Sequence, residues 1–123
     1  MSGTELVERA EAVAQRAYAP YSDYPVGAVA LTRDGTLIEG VNVENAAYPL
    51  GVCAERTALS RAVVEGFGPG DIEAVGITAS PCGGCRQWLH EFRVGRVYFR
   101  REDGSIAEYA AADLLPDTWN LPG

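Results

Sequence analysis

Cysteine is scarce in this chain, with three among 123 residues. Three cysteines cannot all pair with one another, so a disulfide framework is excluded, and a reducing compartment would keep them as thiols. Positive charge is also short: ten basic residues face seventeen acidic ones, for a formal net charge of −7. That is the wrong sign for a protein that tracks a polyphosphate backbone by displacing its counterions, and no nucleic-acid partner is expected. No apolar run approaches the ~18 residues of a membrane span, and no charged-then-apolar leader opens the sequence. A soluble, cytoplasmic protein without a membrane partner is therefore expected. Repeats, linkers and low-complexity stretches are missing too, which leaves residues 1–123 as one expected domain. A chain of this length buries roughly two-thirds of the surface its unfolded form exposes.

What is present is a regular alternation of helical and extended patterns. Leu6, Ala10, Val13 and Ala17 recur at helical spacing, and Ser2 with Glu5 can form a capping box, so a helix is predicted over Thr4 to Tyr18. Val26 to Thr32 and Thr36 to Val43, joined by Arg33-Asp34-Gly35, predict a β-hairpin. A second helix is predicted over Cys53 to Glu65, stopped at Gly66, and a strand over Ile72 to Thr78. Pro81 at the first helical position opens a third helix carrying Cys82, Cys85, Leu89 and Phe92. A strand over Val97 to Arg100, a turn over Glu102 to Ser105, a further short strand and a last helix over Ala110 to Leu115 complete the chain. This order predicts an α/β fold, a three-layer α/β/α domain around one mixed five-stranded sheet. If the strands preceding the second and third helices are parallel, both cysteine motifs fall at the carboxyl ends of neighbouring strands.

All three cysteines belong to one pattern: Cys53-Ala54-Glu55-Arg56, then Pro81-Cys82-Gly83-Gly84-Cys85-Arg86-Gln87. Three thiolates with a carboxylate two residues from the first suit a catalytic zinc, because a structural zinc would want its fourth tetrahedral position filled by the protein. The remaining candidate for a fourth ligand, His90, lies roughly 140° around an ideal helix from Cys85 and points elsewhere. In the first turn of a helix the unpaired N–H groups carry partial positive charge, so the pKa of each cysteine is expected to fall. Three thiolates on one zinc leave a net negative charge, which Arg56 and Gln87 can offset by donating hydrogen bonds to sulfur; Arg86 can do the same or form a salt bridge toward the sheet. Glu55 is better placed as a proton shuttle than as a ligand. A lone C-x-x-C could equally be a structural metal site or a redox motif; the added Cys53-x-Glu55 and Pro81 give the signature of zinc deaminases.

Beyond these motifs the chain resembles the cytidine deaminases of the small homotetrameric type along nearly its whole length. The matching blocks, in order, are Ala19-Pro20-Tyr21-Ser22, Tyr24-Pro25-Val26-Gly27-Ala28, Asn42-Val43-Glu44-Asn45-Ala46, the two cysteine motifs and Leu114-Leu115-Pro116. The resemblance implies zinc on Cys53, Cys82 and Cys85, with Glu55 as proton donor and acceptor. It implies Asn42 and Glu44 on the ribose hydroxyls of a free pyrimidine nucleoside, and substrate contacts from Tyr24, Asn45, Ala46 and Ala54. Tyr48 and Trp119 are implied to reach between subunits of a homotetramer with shared sites. An amide and a carboxylate two apart on an extended segment also point to one face, and a carboxylate there repels a phosphate, which favours nucleosides over nucleotides. Departures from the family pattern are the short Ala79-Ser80 connection before Pro81, Pro49-Leu50-Gly51 before Cys53, Tyr24 where phenylalanine is usual, and the large Trp119.

Overall fold

The computed structural model describes residues 1–119. Helix α1 spans Gly3–Val13, and its start is the predicted capping box: Glu5 N–H donates to the Ser2 hydroxyl at 3.1 Å and Ser2 N–H to Glu5 Oε1 at 3.0 Å. Leu6, Val7, Ala10 and Val13 form its buried face. The helix stops earlier than its periodicity predicts, passing through a 3₁₀ turn at Ala14–Arg16. A tertiary pairing takes over: Tyr18 N–H donates to Asn42 O at 3.1 Å and Glu44 N–H to Tyr18 O at 2.8 Å, which requires extended backbone where the pattern alone continues the helix.

Strands β1 (Gly27–Thr32) and β2 (Leu37–Val41) form the hairpin in register Ala30 with Ile38. Gly35 takes a φ of 93° in the turn, and the Asp34 carboxylate accepts from Thr36 N–H at 3.1 Å and from the Thr36 hydroxyl at 2.8 Å. Strand β3 (Ile72–Ile77) runs antiparallel to β1; β4 (Arg96–Arg100) is parallel to β3, and β5 (Ile106–Tyr109) is antiparallel to β4. The sheet order is β2-β1-β3-β4-β5. Alternation along β1 sorts the two layers: Ala28 and Ala30 join the larger core with α2 (Ala54–Val64) and α3 (Gly83–Glu91), while Val29 and Leu31 meet α1 on the other face. The last predicted helix is a 3₁₀ turn at Ala111–Leu114, and Pro81 precedes α3, whose N-cap is Cys82.

β1 is antiparallel to both β2 and β3, so the carboxyl ends of those two strands lie at one end of the sheet with the start of β1 between them. The strands leading to the two cysteine motifs are therefore parallel but not neighbours, because the hairpin partner occupies the gap. α2 lies close on β2 at Gly40, where an added Cβ would sit 2.4 Å from Ala58 N and 2.5 Å from Ala54 O. Two backbones touch there, and nothing larger than hydrogen fits. Gly40→Ala is expected to lower stability by about 1–3 kcal/mol through overpacking, whereas Gly68→Ala, with open space around it, leaves the thermal melting midpoint nearly unchanged.

Candidate metal and nucleoside site

Each cysteine is placed by a helix start. Cys53 is the N-cap of α2, Cys82 is the N-cap of α3, and Cys85 is the third residue of α3, with its N–H donating to Cys82 Sγ at 3.4 Å. Their three sulfurs lie within 4.8 Å of one another and form the one group of clustered His, Cys, Asp and Glu ligand atoms among the described residues; His90 is not in it. The uniform fall in thiol pKa does not hold. Burial pushes up Cys53 and Cys85, with the Glu55 charge adding to both, while Cys82 falls below its ordinary value because hydrogen bonds led by the Cys85 N–H outweigh its own burial. At Cys53 and Cys85 burial, with nearby negative charge, has outweighed the helix ends, and a bound divalent cation would supply the missing compensation. A soft, three-thiol donor set of this size fits zinc.

Glu55, the second residue of α2, is 4 % exposed, and burial holds its carboxyl above the usual carboxylate range. It borders a depression of about 270 Å³ together with Tyr24, Asn42, Cys53, Ala54 and Cys82. Arg56 reaches the same cluster from α2, its Nη2 lying 4.0 Å from Cys82 Sγ. That approach passes over Gly84, where a Cβ would come within 2.1 Å of Nη2. Arg56 Nε is buried with no hydrogen-bond partner among the described residues. Sequence reasoning missed Gly84, although two consecutive glycines between the cysteines were visible. Gln87 is not brought to the sulfurs: it is exposed and shares a surface hollow with Trp88, Glu91 and Phe92, because two helical steps from Cys85 turn it to the opposite side. Arg86 fulfils neither expectation. It braces the α3 start by donating to Pro81 O at 2.9 Å, Leu114 O at 3.2 Å and the Ser80 hydroxyl at 3.1 Å.

Asn42 and Glu44 both grip the segment leading into β1, from one side, as their spacing requires. Asn42 Oδ1 accepts from Val26 N–H at 2.8 Å and its Nδ2 donates to Tyr24 O at 3.0 Å. Glu44 accepts from the N–H groups of Tyr21 at 3.0 Å and Ser22 at 3.1 Å, and from the Ser22 hydroxyl. A second depression of about 390 Å³ is bordered by Tyr21, Ser22, Glu44, Asn45, Tyr48 and Gly51. The two depressions share no bordering residue, but the same three segments contribute to both: Ser22 and Tyr24, Glu44 and Asn42, Gly51 and Cys53. Asn45 Oδ1 closes its turn by accepting from Ala47 N–H at 2.9 Å, and Ala46 is exposed. Tyr48 meets Tyr21 edge-on at 6.3 Å and is 76 % exposed; Trp119 is 73 % exposed. Within this chain Trp119 makes no part of either depression as bordered by the described residues.

Residues 2–101 match the family described as the cytidine and deoxycytidylate deaminase zinc-binding region. The chain belongs to this deaminase family. A cytidine deaminase of Sporosarcina psychrophila is 40 % identical over 128 aligned positions, covering 98 % of this chain and 93 % of that protein. One from Halalkalibacterium halodurans is 41 % identical over 119 positions, with 90 % and 89 % covered. The crystal structure of the cytidine deaminase from Burkholderia pseudomallei superposes with a TM-score of 0.90 at 41 % identity, covering 97 % of this chain and all of that one. The deaminase zinc-binding region thus includes all three clustered thiols, which a zinc ion would occupy as ligands.

Two outcomes test how the sulfur cluster is held. Gly84→Ala displaces Arg56 from Cys82, and zinc is expected to pass to a competing chelator several-fold faster, followed by a colorimetric zinc indicator. His90→Ala is expected to leave zinc retention unchanged, since the imidazole stands outside the cluster.

Proposed function

We propose that this protein is a cytoplasmic, zinc-dependent cytidine deaminase of pyrimidine salvage, built on a single deaminase domain. It hydrolyses cytidine and 2′-deoxycytidine to uridine and 2′-deoxyuridine with release of ammonia. The observation that carries this reading is the buried carboxyl of Glu55 bordering the same small depression as Cys53, Cys82 and Asn42. Zinc, when bound by Cys53, Cys82 and Cys85, supplies the Lewis acidity that makes water a nucleophile near neutral pH. Glu55 takes a proton from that water and delivers it to the ring nitrogen beside the amine-bearing carbon. A carbon–oxygen bond forms there, a second proton passes through Glu55 to the amine, and the carbon–nitrogen bond breaks to give ammonia. Burial suits Glu55 to this work, because a raised pKa lets it hold the proton between steps.

Ala54 and Tyr24, which both border the depression, confine the pyrimidine ring. Asn42 and Glu44 receive the sugar hydroxyls, with Asn45 and Ala46 shaping the same turn. The carboxylate of Glu44 and the net charge of −7 disfavour a phosphate at this place. Arg56 offsets part of the charge on the thiolates. The chain assembles as a homotetramer in which Tyr48 and Trp119 complete sites of neighbouring subunits. Support comes from the exposed apolar residues flanking Pro49 and Gly51, where Tyr48, Leu50 and Val52 are 76, 68 and 40 % exposed.

Glu55→Gln is expected to lower kcat by roughly 10²–10⁴-fold with zinc content unchanged, measured as loss of cytidine absorbance and metal analysis on the same sample. Wild-type turnover in that variant would overturn the mechanism. Cytidine is expected to show a higher kcat/KM than its 5′-monophosphate, by ammonia release.

A further inference from the structure

Glu44 is the most heavily engaged carboxylate at the site's edge, and one side chain outside the expected set controls it. An ionised carboxylate offers about four acceptor positions. Oε1 is taken by two N–H groups, from Tyr21 at 3.0 Å and Ser22 at 3.1 Å, and Oε2 accepts the Ser22 hydroxyl. About one position stays open. The Ser22 hydroxyl is committed at both ends, since its oxygen accepts from Tyr24 N–H at 3.1 Å while its proton goes to Glu44. A relay therefore runs from the backbone of Tyr24, which walls the depression beside Glu55, through Ser22 to Glu44, which walls the second one. Asp23 bends the chain between them with a φ of 55°, keeping Ser22 and Tyr24 close.

We infer that Ser22 is a positioning residue for sugar recognition: it fixes Glu44 as the acceptor for a single sugar hydroxyl and ties that acceptor to the wall of the base pocket. This rests on the reading that Asn42 and Glu44 receive the sugar. With one acceptor position open, Glu44 holds one hydroxyl, and loss of the other costs nothing at this carboxylate. Hydrogen bonds from Ser22 also keep the Glu44 carboxyl ionised, its hydroxyl first and its N–H next, so the acceptor stays charged. A short, exposed serine suffices because it spans only two residues of chain on one side and the carboxylate on the other.

The test compares wild type, Ser22→Ala and Ser22→Thr on cytidine, 2′-deoxycytidine and 3′-deoxycytidine. Ser22→Ala is expected to raise KM for cytidine about tenfold, the scale of one lost hydrogen bond to a charged group, with the loss falling on KM rather than kcat. Ser22→Thr, which keeps the hydroxyl, is expected to restore KM to within about threefold. One of the two deoxy substrates lacks the hydroxyl that Glu44 holds, and its KM is expected to be the same in wild type and Ser22→Ala. An equal rise on all three substrates, or no rise on any, overturns the inference. Calorimetric Kd values for uridine and its two deoxy forms give the same comparison without turnover. Wild-type chain that binds uridine in this pattern but does not deaminate cytidine would overturn the deaminase reading and leave the assignment of Ser22 standing.

Discussion

Three sulfurs within 4.8 Å of one another would, as thiolates, concentrate negative charge that a bound cation offsets. Burial, with the neighbouring Glu55 charge, pushes up the thiols of Cys53 and Cys85, and a cation bound among the sulfurs would favour their thiolate forms. The fold meets this constraint by bringing two helix starts, and the guanidinium of Arg56, to one end of the sheet. The antiparallel β1 makes this possible. Lying between β2 and β3, it points their carboxyl ends the same way and sets the two helices apart by one strand. The segment that enters β1 is delivered to that same place, which is how Tyr24 comes to stand beside residues encoded thirty positions later.

The segments that border the thiols are drawn together by two isolated backbone bridges outside the main sheet. Tyr18 pairs with Val43, and Val43 pairs with Val52. This three-way contact draws together the approach to β1, the exit from β2 and the approach to α2. Asn42 and Glu44 then fasten the first of these from its side with five hydrogen bonds, so the groups proposed to meet a sugar also hold up the loop that meets the base. Binding groups and scaffold are here the same atoms, and part of each group's hydrogen-bonding capacity is already spent before any ligand arrives.

Much of the architecture was readable because it rests on periodicity and punctuation. Ser2 and Glu5, the Asp34-Gly35 turn and the alternation along Val26 to Thr32 are local signals, and local physics carried them into the structure. The three cysteines with Glu55 were legible because ligand chemistry restricts residue types so strongly. What the sequence hid was non-local. The recruitment of Tyr18 by the 42–44 backbone ended a helix that its side chains would have continued. Placement of β1 between β2 and β3 depends on pairing rather than pattern. Arg86 and Gln87 looked alike as donors beside the cysteines, yet one braces backbone carbonyls and the other faces outward, a difference set by helical phase. Gly84 matters for the side chain it lacks, and a missing atom leaves no signal until its neighbour's position is known.

The contact of α2 with β2 at Gly40 has a bearing on how this protein can diverge. Backbone meets backbone there, so the height at which Cys53 and Glu55 stand above the sheet is a fixed length rather than a consequence of side-chain volume. The other two sulfurs start α3 instead, and that helix rests on the larger core through the side chain of Leu89. The glycine acts as a gauge block for the α2 half of the reaction centre, so changes of core volume reach the metal triangle through α3.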